Sequence, residues 1–160
     1  MEQEKFIRHY GSLYENSPHI ALAIYDQQRL DTLSPLEILS LMKDYVTKMD
    51  HQSKMKLILE HPELGIKKGQ KNNLTAHSKK EQTRAGLDNL SGSEYNLLSR
   101  LNKDYMNKFK FPFIIAVSVL NKEEVFGNIQ VRLQNTVETE FDTALKEIHK
   151  IAEIRLKNQK

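Results

Sequence analysis

The chain has 160 residues, a length that fits one globular domain with a core of its own. Apolar residues make up 39% and charged residues 28%, which excludes the apolar-poor composition of a disordered chain. The lack of cysteine excludes disulfide bonds, thiolate metal sites and a cysteine nucleophile, and it fits a reducing compartment. We therefore expect a single soluble domain over residues 1–160, located in the cytoplasm.

Neither charge nor apolar runs indicate a nucleic-acid or membrane partner. The net charge of +3 comes from lysines that alternate with acidic residues rather than forming one basic block. The longest apolar run, residues 111–120, is too short to span a bilayer. One lysine cluster could attract an anionic ligand, but a solvated loop explains it equally well. The cluster comprises Lys67, Lys68, Lys71, Lys79 and Lys80.

Capping signals and helical periodicity predict helices through the amino-terminal half. The clearest signal is the capping box of Ser34 and Glu37, with Pro35 at the first helical position. Asp50 begins the next helix, which carries an apolar pattern to His61. The predicted helices cover residues 6–14, 20–25, 34–49 and 50–61.

The carboxy-terminal half repeats these signals. Ser91 and Glu94 have capping-box spacing before a long helix, and Gly127 weakens a moderate helix that follows. Residues 111–119 are typical of a strand, but one strand without a partner cannot form a sheet. The predicted helices cover residues 91–109, 121–134 and the segment from 135 onward. The fold class is therefore all-α, a compact single-domain bundle of about eight irregular helices.

The segment His61-Pro62-Glu63-Leu64-Gly65 places an imidazole where the chain leaves a helix. Pro62 disfavours helical geometry at His61, and Gly65 permits the turn that follows. A histidine can both take and give a proton near neutral pH, so His61 is a candidate acid or base. A histidine that ends a helix before proline is more often an ordinary helix-boundary residue, and these five residues alone favour that interpretation over catalysis.

Arg155 falls on the apolar stripe of the last predicted helix, about 20° from Ile148 at ~100° per residue. Burying a guanidinium is unfavourable unless a partner compensates its charge. A structural salt bridge, snorkelling to solvent and binding of an anionic ligand each explain this position. The stripe alone does not decide among them.

Ser78 and Glu81 also have the spacing of a capping box, and capping is the interpretation that the residues favour. A helix from Ser78 would align Ser78, Glu81, Gln82 and Ala85 on one face. A hydroxyl, a carboxylate and an amide that converge there could orient a nitrogen-rich polar ligand. That alternative stays open.

In chain order these segments resemble the family of decarboxylases of 2-oxo-4-hydroxy-4-carboxy-5-ureidoimidazoline (OHCU). The matching segments are His61 to Gly65, Ser78 to Gln82 with Ala85-Gly86-Leu87, Leu101-Asn102 with Tyr105, Phe111-Pro112-Phe113, Arg132-Leu133, Glu140, and Ile151-Ala152 with Arg155-Leu156. Leu13 to Pro18 is similar to the family's opening helix and turn. The chain departs from the family where Pro18-His19 replaces a usual tryptophan and Lys110 replaces a common glycine.

The resemblance implies an all-α enzyme, often dimeric, that needs no metal or organic cofactor. Its reaction would be the decarboxylation of OHCU to (S)-allantoin, the last step of urate breakdown to allantoin. His61 would be the catalytic acid or base, with Glu81 as the partner that fixes its tautomer. The substrate-binding residues implied are Pro62, Ser78, Gln82, the backbone of Phe113, Ile114, Ile115, Ala116 and Val117, and Arg155, which would hold a substrate oxyanion.

The partners implied are a small ureidoimidazoline substrate and a second copy of the chain. Urate oxidase or hydroxyisourate hydrolase would be pathway or fusion neighbours. The main alternative is a non-enzymatic helical interaction module, in which His61, Ser78 and Arg155 have structural roles only. A nucleic-acid binder ranks third, and a decarboxylase of another ureido acid is the alternative within enzymes.

Overall fold

The structure is a computed structural model that describes residues 1–65 and 74–159. These residues form helices and loops and contain no strand, which confirms the all-α class. Nine α-helices lie in the described ranges, because a short helix after residue 26 adds to those predicted. They are α1 (Gln3–Tyr10), α2 (His19–Ile24), α3 (Gln27–Leu30), α4 (Pro35–Thr47), α5 (His51–Leu59), α6 (Ala76–Arg84), α7 (Gly92–Phe109), α8 (Lys122–Arg132) and α9 (Val137–Asn158).

The chain divides into two compact units. The first unit contains Met1–Glu60 and Ile148–Lys160, and the second contains His61–Glu147. The expectation of one domain over residues 1–160 stays a prediction. Across the described ranges, no helix has both the length and the apolar character that crossing a membrane requires.

Two of the predicted caps organise the first unit. The Ser34 hydroxyl accepts the Glu37 N–H while the Glu37 carboxylate accepts the Ser34 N–H, so the predicted capping box of α4 is confirmed. Asp50 caps α5 by accepting the Ser53 N–H at 2.7 Å. The apolar core of this unit includes Phe6, Tyr10, Leu13, Tyr14, Ile20, Leu39, Met42 and Val46.

The second unit has a core of aromatic residues around α7. Ser91 and Glu94 form the predicted capping box at the start of this helix. A further box of Asn121 and Glu124, which we did not predict, begins α8. Residues 112–116 have no regular secondary structure, and a short 3-10 helix, Val117–Val119, follows them. The buried aromatic residues are Tyr105, Phe109, Phe111 and Phe113.

The lysine cluster lies largely outside the described residues. Lys67, Lys68 and Lys71 fall in the segment that the structure does not describe. Lys79 and Lys80 are exposed on α6.

Candidate active site

The turn after α5 buries His61 and is fixed by two amide side chains. His61 is only 7% exposed. Gly65 has a φ of +99°, in the left-handed region that the predicted turn requires. Its N–H donates to Gln82 Oε1 at 2.9 Å, and Asn102 Nδ2 donates to the Leu64 carbonyl at 2.9 Å. The backbone that follows the imidazole is therefore held from α6 and α7.

The side chains at the two ends of the turn face the interior, and those between them reach the surface. His61 and Leu64 are buried, Pro62 is partly exposed, and Glu63 is exposed. The imidazole is thus at the inner edge of a surface turn.

The predicted capping role of Ser78 is wrong. Helix α6 begins at Ala76, and Thr75 is its cap, accepting the Ser78 N–H at 3.2 Å. Ser78 therefore lies inside the first turn of the helix. Thr75 has no Glu or Gln three residues later, so the sequence offers no complete capping box at the true helix start.

The polar face predicted for this helix is nevertheless present. Ser78, Gln82 and Ala85 are buried, and Glu81 is partly exposed. The side chains predicted to turn away, those of Lys79, Lys80, Thr83 and Arg84, are exposed. Helix α6 packs against the 3-10 helix Val117–Val119. The structure thus places α6 next to the end of the predicted backbone-binding segment.

The segment from Phe113 to Val117 is buried although it has no regular secondary structure. Arg132 Nη1 donates to the Ile114 carbonyl, and the Ala116 N–H donates to Glu147 Oε1 at 3.2 Å. Within the described ranges, neither the N–H nor the C=O of Ile115 has a protein partner, and this residue is 7% exposed. Peptide groups at buried positions are nearly always paired with protein, water or ligand, so the N–H and C=O of Ile115 are a donor and an acceptor that a water molecule or a ligand can satisfy.

A buried polar network supports this segment, although its residues carried no predicted role beyond the family resemblance. The Glu140 carboxylate is fully buried and accepts from Tyr105 Oη, from Arg132 Nε at 2.8 Å and from Asn135 Nδ2 at 2.9 Å. Burial, together with the hydrogen bond to Glu140, raises the pKa of Tyr105, which keeps its hydroxyl protonated. Glu140 lies four residues, about one helical turn, before the buried Ala144, so it falls on the apolar stripe of α9. The argument that identified Arg155, a charged residue on this stripe, could therefore have identified Glu140 as well.

Arg155 belongs to the first unit, and its predicted inward orientation is confirmed. It is 3% exposed. Its Nη2 lies 3.6 Å from Glu15 Oε2, and its Nη1 donates to the carbonyls of Ser12 and Leu13 at 3.3 and 3.4 Å. The salt-bridge interpretation thus has a partner in the structure. Whether Arg155 also holds a substrate oxyanion stays a prediction.

His149, in the first unit, is hydrogen-bonded to a tyrosine. Tyr14 Oη and His149 Nδ1 are 2.9 Å apart. Burial and the charge of Lys43 lower the pKa of His149 to about 4. The imidazole is therefore neutral at pH 7, and it shares its hydrogen bond with a phenol whose pKa burial raises.

The described residues contain no group of three or more histidine, aspartate or glutamate side chains placed to bind one metal ion. The groups that can act on a ligand in the second unit are an imidazole, the polar face of α6 and peptide groups of the 113–117 segment. The turn that contains this buried imidazole is hydrogen-bonded to the polar face through the Gly65 N–H and Gln82. The fold and the site thus define an all-α protein with the side-chain types that acid–base enzymes use.

Comparison with known proteins agrees with this class and identifies the family. The family model described as OHCU decarboxylase matches residues 1–157. The OHCU decarboxylase of Haloferax volcanii is 34% identical over 156 residues, covering 98% of this chain and 89% of that protein. The chain belongs to the OHCU decarboxylase family.

Two further relatives show how the domain occurs in longer chains. A uric acid degradation bifunctional protein of Bacillus sp. strain TB-90 is 38% identical over 156 residues, which are 98% of this chain but 30% of that protein. The crystal structure of an (S)-allantoin synthase matches with a TM-score of 0.75 and 27% identity. The match covers 98% of this chain and 50% of that chain.

Proposed function

We propose that the protein decarboxylates OHCU to (S)-allantoin without a cofactor, the last step of urate breakdown to allantoin. The observation that carries the proposal is the buried His61 on a turn fixed by Gln82 and Asn102, in a chain that belongs to this family. A fixed imidazole is an acid–base group that is already oriented before the reaction, which lowers the entropic part of the activation barrier.

The reaction can proceed without a cofactor because the substrate supplies the electron acceptor. As carbon dioxide leaves, the electron pair of the breaking bond forms a double bond between the two ring carbons, and the π pair of the adjacent ring carbon–nitrogen bond moves onto the nitrogen, which takes up a proton. The hydroxyl then becomes a carbonyl and loses its proton, while the carbon that bears the ureido group gains one, so decarboxylation of the carboxylate consumes one proton overall. The protein has to orient the breaking bond and add that proton from one face.

His61 and Glu81 would manage these protons. His61 would accept the hydroxyl proton or donate the proton to carbon, and a donor fixed on one face yields one enantiomer. Glu81 would fix the tautomer of His61 and stabilise its protonated form. The partly exposed position of Glu81 on the α6 face that contains Ser78 and Gln82 supports this role.

The remaining polar groups would bind the ureido and ring atoms. Gln82 Oε1 already accepts the Gly65 N–H, so its amide nitrogen is the end that can donate to substrate. Ser78 lies one helical turn before Gln82 on the same buried face. Pro62 would border the pocket, and the Phe113–Val117 backbone would meet the heterocycle.

Arg155 would hold a substrate oxyanion. A guanidinium can donate from several nitrogens at once, so its contacts with Glu15 and two carbonyls are compatible with a further acceptor. Lysine offers only one compact charge, so Arg155→Lys would separate the structural role from substrate binding. Expressed as free energies, the rise in KM should exceed the loss in the free energy of unfolding.

The assembly and location of the protein follow as further parts of the proposal. A homodimer in the cytoplasm agrees with the family resemblance and with the cysteine-free sequence. Urate oxidase and hydroxyisourate hydrolase would be its pathway neighbours. The name of the Bacillus relative, a uric acid degradation bifunctional protein, supports this association.

The experiment generates OHCU in situ from urate with urate oxidase and hydroxyisourate hydrolase and follows product formation by circular dichroism. Wild-type protein should rapidly produce optically active (S)-allantoin. His61→Asn should lose at least about a hundredfold in rate, because general acid–base catalysis typically contributes 10²–10⁴-fold. The exposed His51→Asn should retain activity, which controls for the loss of a histidine as such.

Two results would contradict the proposal. Racemic allantoin formed at the spontaneous rate by folded wild-type protein would reject the decarboxylase and favour the helical interaction module. Rapid enantioselective turnover by His61→Asn would retain the enzyme but remove His61 from its assigned role.

A further inference from the structure

Two charged side chains hold the backbone on either side of Ile115. Arg132 Nη1 donates to the Ile114 carbonyl, and Glu147 Oε1 accepts the Ala116 N–H at 3.2 Å. Both side chains are at least nine-tenths buried. The two anchors thus flank the one residue of the 114–116 stretch that has no hydrogen bond to the described protein.

Peptide planarity transmits these anchors to Ile115. The Ile114 carbonyl and the Ile115 N–H belong to one planar trans unit and point to opposite sides, so fixing one directs the other. The Ile115 carbonyl and the Ala116 N–H are related in the same way across the next unit. Arg132 therefore sets the direction of a donor, and Glu147 sets the direction of an acceptor.

Arg132 is itself held from two sides, which makes it a rigid anchor. Its Nε donates to the fully buried Glu140 at 2.8 Å, and its guanidinium lies 4.4 Å from the centre of the Phe113 ring. A side chain with one carboxylate partner and one aromatic partner has little rotamer freedom left to lose when substrate binds.

We propose that Arg132 and Glu147 are positioning residues that aim the N–H and C=O of Ile115 at a urea-type edge of the substrate. Such an edge presents an acceptor and a donor side by side, which complements one donor and one acceptor of the backbone. The inference rests on the proposed function, because the molecule with this edge is the ureidoimidazoline.

Glu147→Met and Glu147→Gln form a matched pair that tests the proposal. Glutamine keeps an oxygen that can accept the Ala116 N–H, whereas methionine has similar size and no such acceptor. The Met variant should raise KM about tenfold and lower the enantiomeric excess, and the Gln variant should stay within about threefold of wild type. Glu153→Gln on the same helix, at a partly exposed ion pair, is the control and should leave KM unchanged.

Arg132→Lys provides a second variant if Glu147→Met does not fold. Lysine keeps a positive charge for Glu140 but lacks the planar fork that reaches Glu140 and the Ile114 carbonyl together. Its KM should rise by a similar factor. A purely structural defect would reduce the active fraction and the melting temperature while leaving KM unchanged, so KM separates positioning from folding.

The outcomes of these assays separate the inference from the proposed function. A raised KM in the Met variant with recovery in the Gln variant would support the positioning role of Glu147. Equal KM values for wild type, Glu147→Met and Arg132→Lys, with turnover intact, would overturn the positioning roles of Arg132 and Glu147 alone. Wild-type protein without decarboxylase activity would overturn the proposed function and these positioning roles with it.

Discussion

Substitution of Glu140 by leucine would measure how much the buried network stabilises the second unit. The Glu140 carboxylate is fully buried and accepts hydrogen bonds from Tyr105, Arg132 and Asn135. Leucine has no acceptor, so the guanidinium of Arg132 would stay buried without its carboxylate. The variant thus breaks one half of a buried ion pair, the most costly way to disturb it.

The expected loss can be estimated from these contacts. Removing one partner of a buried ion pair costs roughly 3–5 kcal/mol in the free energy of unfolding. At ~2–4 °C per kcal/mol for a protein of this size, the melting temperature should fall by roughly 6–20 °C. Thermal and urea unfolding followed by far-ultraviolet circular dichroism would measure both quantities.

Two further variants make the result specific to the ion pair. Glu153→Gln, at a partly exposed position, should change stability by less than about 1 kcal/mol, because surface ion pairs contribute little. Combining Glu140→Leu with Arg132→Met removes both charges and should recover part of the loss. A melting temperature for Glu140→Leu within about 2 °C of that of Glu153→Gln would refute the reasoning.

Three other predictions follow from local geometry. Thr75→Ala should reduce the free energy of unfolding by about 1 kcal/mol in urea melts, because it removes the cap of α6. Gly65→Ala should reduce it by about 1–2 kcal/mol and slow turnover, since φ is +99° and an added Cβ would lie 3.0 Å from Leu98 Cδ2. Stability should fall as the pH drops from 6.5 to about 4, because unfolded His149 takes up a proton there and folded His149 does not. In His149→Gln, the free energy of unfolding should change less steeply with pH across this range.

Matched controls exist for each of these substitutions. Thr83→Ala, at an exposed site in the same helix, should cost less than Thr75→Ala, and equal losses would refute the cap. Gly127→Ala meets open space and should stabilise α8, so destabilisation at both glycines would contradict the left-handed argument at Gly65. If the free energy of unfolding of His149→Gln depended on pH as steeply as that of His51→Asn, another group would be the cause of the acid sensitivity.

Helix starts could be predicted where the whole signal lies within four residues. Ser34 with Glu37 and Ser91 with Glu94 each form a reciprocal capping box, and both were predicted correctly. Thr75 caps its helix without an acidic partner, so the same rule placed the start at Ser78, three residues too late. Part of the candidate site was thus assigned a capping role that the backbone does not give it.

The inward charge of Arg155 could be predicted because helical periodicity is local, but its partners could not. Glu15 is 140 positions away in the chain, and pairing over such separations depends on tertiary packing. The Glu140 network joins residues up to 35 positions apart for the same reason. Lys110, which stands where the family commonly has glycine, caps α7 with a φ of +66°, a conformation that favours glycine, and nothing in the structure explains the lysine.

The exposure of Glu63 offers a way to observe the turn directly. Its side chain faces solvent two residues after the buried His61, while the backbone on its carboxyl side is fixed through Leu64 and Gly65. The natural sequence contains no cysteine, so Glu63→Cys would introduce the single thiol of the chain. One fluorescent or spin label at that thiol would report on the neighbourhood of the imidazole with no competing site of attachment.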